Sequence, residues 1–503
     1  MPKCGGVKLE EASIDQIQTY LKQGRLTSRQ IVQCYLARIK QINPHIRAVI
    51  ETNPDVLQIA DDLDCERKEK GPRGPLHGIP IIVKDNIATD DKMSTGAGSL
   101  SLVGSKVPRD AHVVMLLRKA GAIILGKANM SEFADMRASS YSEGWSGRGG
   151  QCRSPYNLTQ NAGGSSSGSG AAVGANLVTV ALGTDTDGSV TSPGNRNMLA
   201  GIRPTRGLTS RNGVIPLSSS LDTVGVLAKS VKDAAYVLNV ISGVDKRDPV
   251  TTNQRKEDYT KYLTKNALQG VRIGIPHKIL WQAETTVPMM PTFKKTIGVL
   301  RSLGATIVNN TNLPKIDELA TTYWSWMPNE FLVSKIDFKE DLNKYLSELV
   351  ESPVRSLQDI IDYNEAHKDT EMQFFGQDIL IESQQTNGKN KAYYKALATN
   401  QRNSRQLGID FALKKWKLDA LLLPGDQASA ASQPHSVAGY PAITTPVGLD
   451  SNGVPYGIMF VGTAWTEAKL MGYAYALESA LRIRQTPRFY EIDRTNDTYP
   501  IPI

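Results

Sequence analysis

Apolar residues along the chain fall into two patterns that alternate. In "SRQIVQCYLARIKQIN", Ile31, Val32, Tyr35, Leu36 and Ile39 recur at i, i+3 and i+4 spacing. That spacing predicts an amphipathic helix, with Ser28 placed to cap it. "IPIIVKDN" is a short continuous apolar run, the mark of a strand buried on both faces. "DAHVVMLLRKAG" predicts a helix stopped at Gly121, and "AIILGK" predicts the next strand. The pattern returns near the C-terminus, where "LDALLLP", "PAITTPVG" and "YGIMFVG" read as core strands. After Thr466, Leu470, Ala474, Leu477 and Leu481 share one helical face. Such alternation predicts a layered α/β fold with a largely buried sheet.

Between about residues 315 and 402 the texture becomes polar, helical in propensity and locally aromatic, as in "TTYWSWMPNEF". This segment is expected to be a helical insertion or cap packed on the α/β core, not a second domain. Strand patterns flank it on both sides, so residues 1–503 read as one domain. Tyr323, Trp324 and Trp326 are the aromatics expected to shape a pocket against that core.

Composition narrows the function classes. Hydrophobic content of 40% and charged content of 21% suit a soluble globular protein. The net charge of +8 comes from scattered lysines and arginines without a basic block, so no nucleic-acid partner is expected. The longest strongly apolar uncharged run, Ala171 to Gly183, is too short to span a membrane. The N-terminal stretch lacks an apolar signal core, so a cytoplasmic location is expected. The four cysteines, Cys4, Cys34, Cys65 and Cys152, form no CxxC pair and read as free thiols of a reducing compartment. The six histidines are dispersed, and neither an HExxH helix nor a GxxxxGK[ST] loop occurs. No metal and no cofactor are expected.

The stretch "NAGGSSSGSGAAVG", Asn161 to Gly174, is by composition a flexible linker. Yet it lies inside an ordinary globular sequence and leads into an apolar segment that ends in "GTDTDGSV". "GSSSG" fits a nucleophile elbow centred on Ser166, but that motif needs a strand before it, and "RSPYNLTQNAG" does not read as one. "GSGAAVG" misses the dinucleotide fingerprint for the same reason and by its spacing. What survives is a pair of small-residue loops holding Ser165 and Ser189, 24 residues apart, and Lys84 at the end of a buried strand. A lysine so placed faces a low-dielectric interior, unless it snorkels to the surface.

Several long motifs in order carry a family resemblance. They are "GIPIIVKDN", "GWSGRGGQCRSPYN", "GGSSSGSGAAVGANL", "ALGTDTDGSV", "GIRPTRGLTSRNGVIPLSSSLDTVG", "VAGYPAITTPVG" and "YGIMFVG". They span about residues 78–227 and return at 437–462. With them the chain resembles the amidase signature family, and Asp187 with "GWSGRGGQ" is similar to its peptide amidase and fungal amidase branch. The resemblance implies one α/β/α domain with a central mixed, twisted sheet covered by helices. It also implies a Ser–Ser–Lys triad: Ser189 as nucleophile, Ser165 as bridging serine after a cis peptide bond, and Lys84 as base.

That assignment is chemically coherent. A serine hydroxyl needs a base, and lysine serves as one only when burial lowers its pKa. Ser165 then relays the proton, and an acyl-enzyme ester forms and is hydrolysed. The backbone N–H groups of Thr186, Asp187, Gly188 and Ser189 are the expected oxyanion donors. The expected partner is a small-molecule or peptide-like amide, with the protein a monomer or homodimer. One departure stands out: "VTSPGNRNMLAGIRPT" replaces the family's "PA-small-x-N-G" run, so Gly194, Asn195 and Met198 differ while Asn197 matches. This leaves room for an acyl transferase or amide-forming variant. A glutaminase subunit of a tRNA-dependent amidotransferase is a further alternative, although such subunits read "TGGSIR" where this chain has "TDGSVT". A catalytically idle binding protein of the same fold is the third.

Overall fold

Continuous apolar runs become strands, and most of them join one sheet. The computed structural model describes residues 4–253, 257–425 and 430–488. Its strands are β1 (Val49–Thr52), β2 (Pro80–Lys84), β3 (Ile123–Ala128), β4 (Trp145–Ser146), β5 (Gly150–Gln151), β6 (Val180–Asp185), β7 (Ala200–Arg203), β8 (Thr223–Ala228), β9 (Arg272–Ile275), β10 (Thr306–Asn309), β11 (Ala420–Gly425), β12 (Ala442–Leu449) and β13 (Pro455–Val461). β4 and β5 form a separate hairpin, and the rest order as β1-β3-β2-β6-β8-β7-β12-β13-β11-β9-β10. The sheet is mixed: β3, β2 and β6 run parallel, β6 through β11 alternate antiparallel, and β11, β9 and β10 are parallel again. β2, β6, β8 and β11 are buried at every position, as unbroken apolar runs require when helices cover both faces.

The amphipathic segment near the N-terminus folds as a helix over Ser28–Ile46. Its cap is Thr27, not Ser28. The Thr27 hydroxyl accepts from the Gln30 amide at 3.1 Å, and the Gln30 side chain accepts from the Thr27 amide at 3.0 Å. This reciprocal pair satisfies two end donors and draws Ser28 into the first turn. The other expected helices form over His112–Lys119 and Glu467–Leu481.

The cysteines correct the sequence reading. Cys4 and Cys34 are joined as a disulfide, which leaves Cys65 exposed and Cys152 buried as the free thiols among the described residues. The partners lie 30 residues apart and meet only because the N-terminal turn folds back on the helix carrying Cys34. Local spacing cannot register such a pair. The thiol pattern therefore no longer argues for a reducing compartment. No helix among the described residues is long and apolar enough to cross a membrane.

The glycine- and serine-rich stretch is a buried helix over Ser167–Gly174, entered through the loop Gly163–Ser166. All eight of its residues are buried. Its small side chains allow close approach on two sides. A Cβ at Gly168 would lie 2.6 Å from the Asn129 carbonyl, and one at Gly170 would lie 2.9 Å from Pro193. The composition that suggests a linker instead serves tight packing.

Within residues 315–402 lie the helices Pro328–Glu348, Leu357–Ala366, Asp378–Gln384 and Lys391–Gln401. Phe338, Leu342, Leu346 and Leu380 from this segment bury against Leu102, Met130, Phe133 and Leu217. Polar ties reinforce the contact: the Ser218 hydroxyl donates to Asp337 at 2.7 Å, and buried Arg137 bridges Glu132 and Glu371.

Candidate active site

Strand direction brings the first two elements of the site together. β2 and β6 are parallel neighbours, with Val83 beside Leu182, so their C-terminal ends open at the same edge of the sheet. β2 ends in Lys84, and β6 ends in Asp185 and turns into Thr186–Ser189. Ligand sites of α/β sheets lie outside such carboxyl ends. The loop before the Ser167–Gly174 helix then delivers Ser165 between them.

The three side chains form a continuous chain. Lys84 Nζ lies 2.8 Å from Ser165 Oγ, and Ser165 Oγ lies 2.9 Å from Ser189 Oγ. All three residues are buried. The Gly164–Ser165 peptide bond is cis. The two serine loops are also stitched through their backbones, because the Ser166 amide donates to the Ser189 carbonyl at 3.1 Å. Ser166 itself takes no place in the chain: its hydroxyl donates to the Thr184 carbonyl at 3.0 Å.

Lys84 makes two further contacts, to Thr184 Oγ1 at 2.9 Å and the Thr184 carbonyl at 3.3 Å. All its partners are neutral. Burial lowers its pKa to about 8, against the opposing pull of Asp135, Asp185, Asp222 and Glu143. Asn86 donates to Thr184 Oγ1 at 3.0 Å and so fixes the threonine that orients the amine.

The turn carrying Ser189 is held by Asp185. Its carboxylate accepts from the amides of Gly188 at 3.0 Å and Val190 at 2.7 Å, and pairs with the buried guanidinium of Arg203. Gly188, at φ +80°, completes the turn. This geometry narrows the expected oxyanion donors. The Gly188 N–H is already given to Asp185, whereas those of Thr186, Asp187 and Ser189 have no partner among the described residues. Thr186 turns its hydroxyl to Asp222 at 2.6 Å.

A cavity of about 240 Å³ opens beside these loops, lined in part by Gly164 and Gly188, the neighbours of the two serines. Three carboxyl groups line it: Asp135, Glu143 and Asp187. Burial raises all three, Glu143 to about 8 with Asp135 adding to the push, and Asp187 to about 6. Tyr323 and Trp324 also line the cavity, and Trp324 Nε1 donates to Asp187 Oδ2 at 2.8 Å. Trp326 instead stacks on Phe331. Behind Asp187 lies Glu330, whose carboxyl is pushed well up by burial and by the neighbouring Asp187. Among the described residues, no group of three or more His, Cys, Asp or Glu is placed to hold a metal ion.

Sequence reasoning singled out Lys84, Ser165 and Ser189, and the structure brings them together. It missed Thr184, Asn86, Asp185 and Arg203, although each sits inside a motif it quoted. Their signal was the polar residue type at the end of a buried strand. Asp135, Glu143 and Glu330 carried no local signal.

Comparisons with known proteins identify the family. The family model described as Amidase matches residues 30–471. A Schizosaccharomyces pombe protein assigned by name to the amidases is 44% identical over 519 residues, covering 98% of this chain and 89% of its own. The X-ray structure of native peptide amidase from Stenotrophomonas maltophilia is similar at a TM-score of 0.90 and 41% identity, covering 95% of this chain and 99% of that one. The glutamyl-tRNA(Gln) amidotransferase of Thermoanaerobacter pseudethanolicus contains a chain that is 31% identical, covering 96% of this chain and 99% of its own. The present chain therefore belongs to the amidase signature family and is an amide-hydrolysing enzyme.

Proposed function

We propose that the protein cleaves the C–N bond of a small-molecule or peptide-like carboxamide through an acyl-enzyme ester on Ser189. The continuous contact from Lys84 Nζ through Ser165 Oγ to Ser189 Oγ carries this reading. Neutral Lys84 accepts the Ser165 proton as Ser165 accepts that of Ser189. Ser189 Oγ attacks the carbonyl carbon, and the open N–H groups of Thr186, Asp187 and Ser189 are the donors for the developing oxyanion. When the C–N bond breaks, the proton returns through Ser165 to the departing ammonia or amine. Water then attacks the ester with Ser165 and Lys84 again removing its proton, which releases the acid and restores Ser189.

Residues 315–402 act in this reading as a helical cap, because Tyr323 and Trp324 from that segment line the cavity. The cavity also weighs against a glutaminase. Glutamine carries a carboxylate that needs a cationic partner, and the lining has three acidic groups with no lysine, arginine or histidine among the described residues. The deciding experiment incubates the protein with a panel of primary, peptide, aryl and fatty amides and follows ammonia and acid release by mass. Ser189→Ala is expected to abolish release and labelling by a fluorophosphonate probe. Turnover that survives in Ser189→Ala would sink the assignment, and, with an alcohol or hydroxylamine added as acceptor, ester or hydroxamate formed in preference to acid would favour acyl transfer.

A further inference from the structure

Glu330 stands in the first turn of the helix Pro328–Glu348 and meets the nucleophile turn at Asp187. Both carboxyl groups are buried. Each gives one oxygen to a neutral donor. Asp187 Oδ2 accepts from the Trp324 indole at 2.8 Å, and Glu330 Oε2 accepts from the Gln433 amide at 3.2 Å. The same Gln433 nitrogen donates to the Ser325 carbonyl at 2.8 Å, which fixes its donor end toward this segment. The other two oxygens, Asp187 Oδ1 and Glu330 Oε1, are buried without a hydrogen-bond partner among the described residues.

Two neighbouring carboxyl groups, each with one dry oxygen, do not tolerate two negative charges, and a single hydrogen between them satisfies both. The charged groups around the pair do not replace that hydrogen. Asp185 repels the Asp187 charge, Arg203 attracts it but is paired with Asp185, and His435 beside them stays neutral, its pKa lowered to about 3 by burial. Gln433 and the Met327 N–H favour ionised Glu330, against burial and the Asp187 charge. We propose that one proton bridges Asp187 Oδ1 and Glu330 Oε1 and fastens the Pro328–Glu348 helix to the nucleophile turn, which makes Glu330 a positioning residue for the oxyanion donors. The Glu330 carboxyl is raised well above the ordinary carboxylate range, so the bridge is intact below that range and is lost as pH rises through the raised value. Two bare carboxylates then repel, and the turn that presents the Thr186, Asp187 and Ser189 N–H groups loses its fixed place. This inference rests on the Ser189 reading above and adds the group that holds its turn.

The test compares Glu330→Gln with the wild type from neutral to alkaline pH. A glutamine amide donates permanently to Asp187 Oδ1 while its oxygen accepts from Gln433, so the bridge no longer depends on pH. The ratio of kcat/KM, variant over wild type, is expected to rise at least about tenfold as pH rises, with the wild-type loss falling on kcat. A mere charge effect on Lys84 acts the opposite way: removing a negative charge lowers the lysine pKa, lifts the ratio at low pH and makes it fall with rising pH. Asp187→Asn supplies the bridging hydrogen from the other side and keeps an oxygen for Trp324. It should show the same rise, and it decides the matter if Glu330→Gln fails to fold. The second arm needs no turnover and follows the Tm of Ser189→Ala with and without Glu330→Gln. The Tm difference is expected to grow in favour of the glutamine variant as pH rises. Such growth in a protein without amide turnover would count against the hydrolase reading alone. A Tm difference that does not grow, or a kinetic ratio in the active enzyme that stays flat or falls, overturns the proposal.

Discussion

Lys84 Nζ touches Ser165 Oγ at 2.8 Å, and its other partners are the hydroxyl and carbonyl of Thr184, so it reaches Ser189 only through Ser165. The bridging serine is therefore a required link and not an accessory. Ser165→Ala is expected to lower kcat by roughly 10²–10⁴-fold, the usual worth of positioned acid–base catalysis. Because the nucleophile remains, slow fluorophosphonate labelling of Ser189 should persist. Near-normal turnover in this variant would mean that Ser189 has another route to a base.

The lysine sets the pH profile. Its pKa is lowered to about 8, first by burial, and only the neutral amine can accept a proton. Activity should accordingly rise with pH, with the acid limb of kcat/KM half-maximal near pH 8. Asp135 is the first among the carboxylates that oppose burial and pull the value up. Asp135→Asn removes that pull, so the limb should move to lower pH whatever happens to its height. A limb that stays in place, or moves upward, would show that Lys84 is not the group being titrated.

What was legible in the sequence was what the chain keeps contiguous. Lys84 closes an apolar run, and Ser165 and Ser189 sit in two motifs only 24 residues apart, so residue type and order sufficed to name them. Relations across the fold left no such trace. Arg203 supports Asp185 only because β7 and β6 both border β8. Cys4 meets Cys34 through a chain reversal, and Trp324 meets Asp187 across 137 positions of sequence. The Thr27 cap was missed for a local reason: two adjacent hydroxyl residues were available, and only the Gln30 side chain, folding back, decides between them.

Burying a base has a cost in stability. A lysine whose folded pKa lies below its unfolded value penalises the folded state whenever it is charged. The penalty is full below the folded value near 8 and fades as pH rises toward the ordinary 10.5. The difference corresponds to about 3 kcal/mol at neutral pH, partly offset by the contacts to Ser165 and Thr184. Lys84→Met fills the same space without the charge. It should abolish turnover yet raise the Tm at about pH 7, and that gain should shrink by about pH 10. A variant that is inactive and less stable at neutral pH would assign Lys84 a structural role as well.

Trp324 links the helical segment to the serine turn, since its indole donates to Asp187 two positions before Ser189. The Asp187 carboxyl is raised to about 6 by burial, and the indole is the main group that favours its ionised form. Glu330 stands on the other side with its own carboxyl pushed up, so this buried pair retains a proton where free carboxylates would not. Trp324→Phe keeps an aromatic wall but removes the donor. Asp187 then takes up a proton more readily, and the turn that presents the Asp187 and Ser189 amides loses its outer anchor. A hydrogen bond to a charged group is worth about 1.5–3 kcal/mol, so kcat/KM should fall roughly ten- to hundredfold. Steady-state kinetics alongside a melting curve reads this directly: activity should drop while the Tm moves little, because the ring still packs. Unaltered kinetics would mean that residues 315–402 cover the cavity without shaping its chemistry.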